Sequence, residues 1–300
     1  MASQRDVKQR VESVRNIQKI TSAMEMVAAA RLRRAETRIA SLRPYAGAIR
    51  RMTRQAAAAA GSVPNFPILE ERAEVKTVGI LLVTGDRGLA GAFNSQIIRA
   101  GLRAEAEHAE AGRQVRWYAS GRRGVSSLTF RGKELAGSFA GFTDRPAYSD
   151  ARSIAERLMA DYIDGHVDEV QVFYNGYVSA LTQVVRAETL LPLQRASVLE
   201  EVPEAEEETE TGAGHALTEY EPDPDVILHR LIPDYVEISI FRSLLESTAS
   251  EHGARMTAMR NASENASDVI EDLTLEMNRA RQAEITQEIM EVVAGSEALV

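Results

Sequence analysis

The stretch Gly85-Asp86-Arg87-Gly88-Leu89-Ala90-Gly91 holds the most chemical promise in this sequence. It follows an apolar, β-branched run, Val75 to Thr84, and precedes helix-forming residues that continue to about Gly112. A strand, a glycine-rich loop and a helix form the context in which backbone amides at a helix amino terminus hold a phosphate. The spacing here is G-x-x-G-x-x-G, not the G-x-G-x-x-G of dinucleotide folds. No G-K-[ST] occurs, so there is no Walker A loop, and no acidic residue clearly closes a following strand to hold a ribose. The competing reading assigns these glycines to a tight turn and close helix–sheet packing.

Other chemistry is equally sparse. The histidines (His108, His166, His215, His229 and His252) are scattered, without H-E-x-x-H or paired spacing. There is no cysteine, which removes disulfides, thiolate zinc sites, iron–sulfur clusters and a thiol nucleophile. There is no G-x-S-x-G elbow. Asn261-Ala262-Ser263 and Asn265-Ala266-Ser267 match glycosylation sequons but sit inside a predicted helix, and read as chance. The expectation is a chain with no catalytic centre, no metal and no cofactor.

If the chain does no chemistry, its elements must carry the function. The 300 residues have a net charge of −9, but this average hides opposite parts. Residues 1–57 hold 13 basic and 4 acidic side chains; 58–197 hold 16 of each; 198–225 hold 11 acidic and no basic; 226–300 hold 6 basic and 13 acidic. A basic head and an acidic tail suit pairing with each other, or an acidic partner for the head; the alternative is that each is a solvated face. No apolar run reaches the ~18 residues of a membrane span, and the start lacks the apolar core of a signal peptide. The bias of 31 Arg against 4 Lys hints at a GC-rich genome, and a bacterial cytoplasmic setting is the default.

Both ends read as long helices. From Arg5 to about Ala60 nearly every residue is a good helix former. Apolar or small residues recur at steps of three and four: Val7, Val11, Val14, Ile17, Met24 and Ala28, then Ala35, Ile39, Leu42, Ala46 and Ile49. Pro44 is expected to kink or briefly break this helix, and Gly61, Pro64 and Pro67 to stop it. At the carboxyl end, Leu245, Ala249, His252, Met256, Met259, Ser263, Ala266, Ile270, Leu273, Met277 and Ala280 alternate steps of four and three without a slip, the heptad seam of a coiled coil. Its Ala, Met and Ser allow close approach but bury little apolar area. A helix from about 224 to 293 would measure roughly 100 Å, against a diameter near ~50 Å for a compact chain of this length. The helices are therefore expected to project as a rod.

The middle reads as a small α/β domain. Val115–Ala119 is a second strand, a Gly-Arg-Arg-Gly turn and a short helical segment follow, and Ser149–Ile163 is a helix. Val170–Tyr174 and Tyr177–Val185 bracket Asn175-Gly176, a hairpin signal. Strands alternating with helices imply a mostly parallel sheet, here with an antiparallel edge. Residues 198–222 are acidic and poor in large apolar groups, and are expected to be a flexible insertion.

Three stretches resemble one family. Val14 to Ala29 (VRNIQKITSAMEMVAA) and Arg43-Pro44-Tyr45-Ala46 resemble the start of the γ subunit of F-type ATP synthases. Ala254 to Met259 and Asn278 to Ile289 (NRARQAEITQEI) resemble its end, and Asp86 to Asn94 (DRGLAGAFN) its central domain. The acidic stretch 198–216 has no counterpart. The resemblance implies an α/β fold with a long antiparallel coiled coil of the terminal helices and a Rossmann-like domain. Its parts are an N-terminal shaft helix (1–60), the α/β domain (75–197), the acidic insertion (198–222) and a C-terminal shaft helix (223–300). It implies a non-catalytic rotor that couples c-ring rotation to conformational cycling of catalytic β subunits. One copy would work with α, β, ε and the c-ring, peripheral on the cytoplasmic face of the bacterial membrane. No nucleic acid, cofactor or small-molecule substrate is implied. It points to Lys19, Met24, Arg33, Arg34, Arg281, Gln282, Thr286 and Glu288 as contacts to β. The rival readings are a small-ligand α/β module with a coiled-coil dimerisation arm, and a purely structural scaffold rod.

Overall fold

The computed structural model describes residues 4–59, 67–69, 72–193 and 224–297. The acidic stretch 198–222 lies outside the described residues. The elements in order are α1 (Gln4–Ala59), a short 3₁₀ turn (Pro67–Leu69), β1 (Thr77–Val83), α2 (Phe93–Glu110), β2 (Gln114–Ser120), α3 (Arg122–Phe130), β3 (Leu135–Phe139), α4 (Tyr148–Ile163), β4 (Glu169–Tyr177), β5 (Gln183–Leu191) and α5 (Pro224–Glu297). They form two compact units, one of Met1–Ala30 with Arg255–Val300 and one of Arg31–Ala254.

The larger unit is built on a five-stranded sheet of order β3-β2-β1-β4-β5. The first four strands are parallel, and β5 pairs antiparallel with β4. The alternation along β1 shows how the layers are filled. Val78, Ile80 and Leu82 face α2 and α3, packing with Phe93, Ile97, Leu128 and Trp117. Leu81 and Val83 face the other way, toward Ile154 and Leu158 of α4 and Leu228, Ile232, Val236, Ile240 and Leu244 of α5. Burial on both faces is why β1 reads as an unbroken apolar run. The second core also takes in Ala56 of α1 and Ile68 of the 3₁₀ turn.

Inside that core Tyr118 and Asp161 are both buried, and the phenol donates to Asp161 at 2.5 Å. Burial, reinforced by this carboxylate, pushes the phenol well above its ordinary pKa. Arg116, Arg157 and His166 lie within 3.3–3.7 Å of Asp161, so the carboxylate is offset rather than isolated.

The smaller unit is a helix pair. Val7 and Val11 of α1 pack on Leu273 of α5, with Val14, Ile270 and Met277 alongside. Gln18 donates to Ser267 at 3.1 Å, and Arg260 to Glu25 at 2.9 Å. As α1 advances, its partners on α5 recede in number, so the pair is antiparallel. The α5 seam is the less exposed line of that helix in this unit: Met259, Ala266 and Leu273 are buried, and Met256, Ser263, Ile270, Met277 and Ala280 half-buried.

Several details depart from the expectations. Pro44 lies within an unbroken α1 and is exposed. A single missing amide donor is outweighed by the packing of the turns on either side. Ile17 is 54% exposed; Gln18 and buried Thr21 hold the inner positions, so α1 also follows a heptad, through polar residues. Asn175-Gly176 is not a turn. Both lie within β4, opposite Val185 and Val184, and the chain reverses over Val178–Thr182. Asn175 is buried and donates to the Phe93 carbonyl at 3.1 Å, which takes it out of the turn role. The strand β3 gave too short and small a run to stand out.

Gly121, between β2 and α3, has φ +93, and a Cβ there would lie 2.1 Å from the Thr84 carbonyl oxygen. Gly121→Ala is expected to destabilise the larger unit by about 3 kcal/mol or more, from strain and backbone clash together. The midpoint of chemical denaturation checks this.

Candidate functional site

In an open α/β sheet the natural ligand position is the crevice outside the carboxyl ends of the strands. Here the glycine loop lies at that end of β1, and its polar groups are turned inward. The Gly85 amide donates to Asn94 Oδ1 at 2.8 Å and the Asp86 amide to Thr143 Oγ1 at 2.8 Å. The Asp86 carboxylate accepts from the amides of Arg122 at 3.0 Å, Gly141 at 2.9 Å and Thr143 at 3.2 Å, and from the Thr143 hydroxyl at 3.0 Å. Thr84 Oγ1 donates to the Ser120 carbonyl and accepts from the Gly124 amide, both at 2.8 Å. One threonine and one aspartate thus fasten the loops after β1, β2 and β3 to each other.

The same crevice is covered by a short stretch of α5. Ser250 donates to the Asn175 carbonyl at 2.9 Å, at the end of β4, and Thr248 to the Thr143 carbonyl at 2.9 Å. Glu251 is buried, with its carboxyl group so near Gly85 that a Cβ there would lie 2.8 Å from it. Gly253 meets the β4–β5 turn, where a Cβ would come within 2.9 Å of the Ala180 carbonyl. Small and polar residues on this face let the helix lie flat against strand ends whose carbonyls need donors. The glycines therefore serve close packing, and the amides of Gly85 and Asp86 that a phosphate would use are bonded to Asn94 and Thr143. Sequence reasoning missed Thr248, Ser250 and Glu251. Their only signal was the polar run Glu246 to His252 in a helix flanked by apolar residues.

Asp86 also gives a pH handle. Burial alone would raise its pKa, but the amides of Arg122, Gly141 and Thr143 and the Thr143 hydroxyl outweigh this and hold the carboxyl below the usual range.

The residues picked for partner contact fall in both units. In the helix pair, Lys19 is exposed and Met24 half-buried, at the level where Gln18 and Glu25 meet α5. Arg281, Gln282, Thr286 and Glu288 are exposed, beyond Met277, on a stretch of α5 whose residues 281–290 are all exposed. Thr286 there donates to the carbonyl of Gln282 at 2.8 Å, within its own helix. In the larger unit Arg33 and Arg34 are exposed on α1. The set is thus divided between the two units. Accessible beside it are large apolar side chains: Ile17, Ile20, Met26 and Val27 on α1, and Ile285, Ile289, Met290 and Val292 on α5. Met256, Met259, Ser263, Ala266 and Met277 lie on the buried or half-buried seam of α5, whereas Met26 and Met290 stand outside with these bulky apolar side chains.

One unit is an antiparallel pair of the first and last helices, the other a Rossmann-like sheet whose ligand crevice is filled by the last helix, and this combination of units now has a counterpart among known proteins. The family model described as ATP synthase matches residues 3–299. The ATP synthase gamma chain of Rubrobacter xylanophilus is 44% identical, over 100% of this chain and 99% of that one. That of Moorella thermoacetica is 42% identical, with both covered in full. The chain belongs to the ATP synthase gamma-chain family. A chain of the central stalk and c-ring structure of the Tetrahymena thermophila mitochondrial ATP synthase has a TM-score of 0.61 at 26% identity, covering 81% of this chain and 99% of that one. A chain from the Euglena gracilis mitochondrial ATP synthase, solved with its F1 and c-ring, has a TM-score of 0.67 and covers 99% of this chain and 94% of that one; at 15% identity it speaks for the fold alone.

Asp86→Asn is expected to lower stability at neutral pH. A carboxyl with a depressed folded-state pKa contributes its stability above the unfolded value, near ~4, and loses it as pH falls through the folded value. The gap between the parent chain and the variant should therefore close on acidification below pH ~4, read by urea unfolding at several pH values.

Proposed function

We propose that this chain is the central-stalk rotor of a proton-translocating F-type ATP synthase, carrying rotation from a membrane c-ring to a ring of catalytic subunits. The observation that supports it best is the family match over residues 3–299, joined to the exposed carboxyl-terminal stretch of α5. A subunit of this family is non-catalytic; in the proposal, ATP is made in β. The chain would enter a ring of α and β subunits as a single copy, with ε and the c-ring at the sheet domain.

The physical role is to be asymmetric. A shaft that presents different side chains in each direction interacts unequally with otherwise identical β subunits, and so biases each toward a different conformation. Arg281, Gln282, Thr286 and Glu288 would make the polar contacts near the tip, with Ile285, Ile289 and Val292 turned to an apolar sleeve. Lys19, Met24, Arg33 and Arg34 would meet acidic segments of β. Among the described residues no helix is long and apolar enough to cross a membrane. The proposed location is peripheral, on the cytoplasmic face of a bacterial membrane.

Co-expression with bacterial α and β subunits tests this. The expected product holds one copy of this chain for three each of α and β, on the family pattern, and hydrolyses ATP. A stable homodimer that ignores α and β would sink the proposal. Within such a complex, replacing Arg281 and Gln282 together by alanine is expected to reduce ATP synthesis in membrane vesicles while the sheet domain keeps its thermal transition. Unchanged synthesis would remove these two residues from the contact.

A further inference from the structure

Beside α1 in the larger unit lies a cavity of about 460 Å³, within the size range of small-ligand pockets. Three elements contribute to it: α1 with Arg31, Arg34 and Arg38, the β3–α4 connection with Asp144 and Arg145, and α5 with His252. Four guanidinium groups therefore meet one carboxylate. That carboxylate is committed, because Arg31 binds it at 2.5 Å and His252 Nε2 lies 3.7 Å away. Glu36, the nearest acidic residue along α1, instead accepts the hydroxyl of Tyr177.

Arg38 is fixed as well as charged: its guanidinium donates to the Pro146 carbonyl. Burial first, and then the like charge of Arg145, hold its pKa below the usual arginine range. Two cations that repel each other in the lining of one partly desolvated cavity are stabilised by an anion bound beside both. Guanidinium is the side chain whose planar fork matches a phosphate oxygen pair.

We propose that this arginine pocket binds a phosphate-class oxyanion, held chiefly by Arg34, Arg38 and Arg145. An excess of three positive charges over the single carboxylate favours a polyvalent group over a monovalent one. Inorganic phosphate, pyrophosphate and the phosphoryl end of a nucleotide share this chemistry. The bound anion joins α1 to the β3–α4 connection and so stiffens that side of the sheet domain. The site does not rest on the rotor reading, since every group involved belongs to this chain.

The test is calorimetric titration of the full-length chain with pyrophosphate, phosphate and ADP at matched ionic strength, with chloride as the control anion. ³¹P line broadening serves as a readout independent of stability. Saturable binding is expected, strongest for a polyvalent anion, with a rise in thermal midpoint. Arg34 and Arg145 are exposed, so Arg34→Ala and Arg145→Ala should keep the fold; each is expected to weaken binding about tenfold, as loss of a charge-assisted hydrogen bond implies. Arg145→Lys, which keeps the charge and loses the fork, should fall between. ADP binding more tightly than pyrophosphate would support the site with a nucleotide as its source, and the reverse order would support it with free phosphate. No binding at millimolar pyrophosphate, equal binding by the alanine variants, or capture of a glutamate-rich peptide without any phosphate effect would overturn the proposal.

Discussion

The seating of α5 at the carboxyl end of the sheet is the constraint that the rest of the larger unit obeys. The carbonyls of Thr143 and Asn175 at that end need donors, and Thr248 and Ser250 supply them from one helix face. Leu228, Ile232, Val236, Ile240 and Leu244 then bury the preceding turns of α5 against the β1 and β4 side of the core. A helix held by both kinds of contact cannot turn about its own axis without breaking buried hydrogen bonds and exposing apolar area. Each unsatisfied buried group would cost roughly 1–3 kcal/mol. This is the property a torque-bearing element needs, and it explains why a Rossmann-like crevice here carries a structural load.

The loop after β1 shows how the same atoms serve a different end from that suggested by the sequence. A glycine-rich loop ahead of a helix can cradle a phosphate, because its amides point outward. Here Asn94 and Thr143 take the amides of Gly85 and Asp86, and the Asp86 carboxylate takes three further amides. Gly85 is small because Glu251 approaches it, and Gly121 because the Thr84 carbonyl does. Close packing, not ligand binding, fixes these positions.

Much of this fold was legible in the residues, and the reasons are physical. The strict four–three spacing on α5 is a property of burial geometry, so Met259, Ala266 and Leu273 fall inside the pair where the heptad puts them. The apolar run of β1 was readable because both of its faces are covered. On α1 the seam was harder to see, because Gln18 and Thr21 occupy it while Ile17 and Ile20 stand outside. Hydrophobic periodicity cannot separate an apolar residue that faces a helix partner from one kept exposed. The Asn175-Gly176 pair misled for a related reason: turn propensity is local, whereas the bond from Asn175 to Phe93 spans distant parts of the chain. The Arg31–Asp144 and Arg38–Pro146 contacts join residues over a hundred positions apart, so no motif could reveal the arginine pocket.

The most direct measurement follows motion. The chain contains no cysteine, and Phe130 at the end of α3 is 91% exposed, so Phe130→Cys provides a single attachment point on the sheet domain. With the catalytic subunits fixed to a surface and a bead attached at that cysteine, ATP hydrolysis should drive rotation of the bead in one direction. Hydrolysis by the assembled complex with the bead stationary would contradict the account.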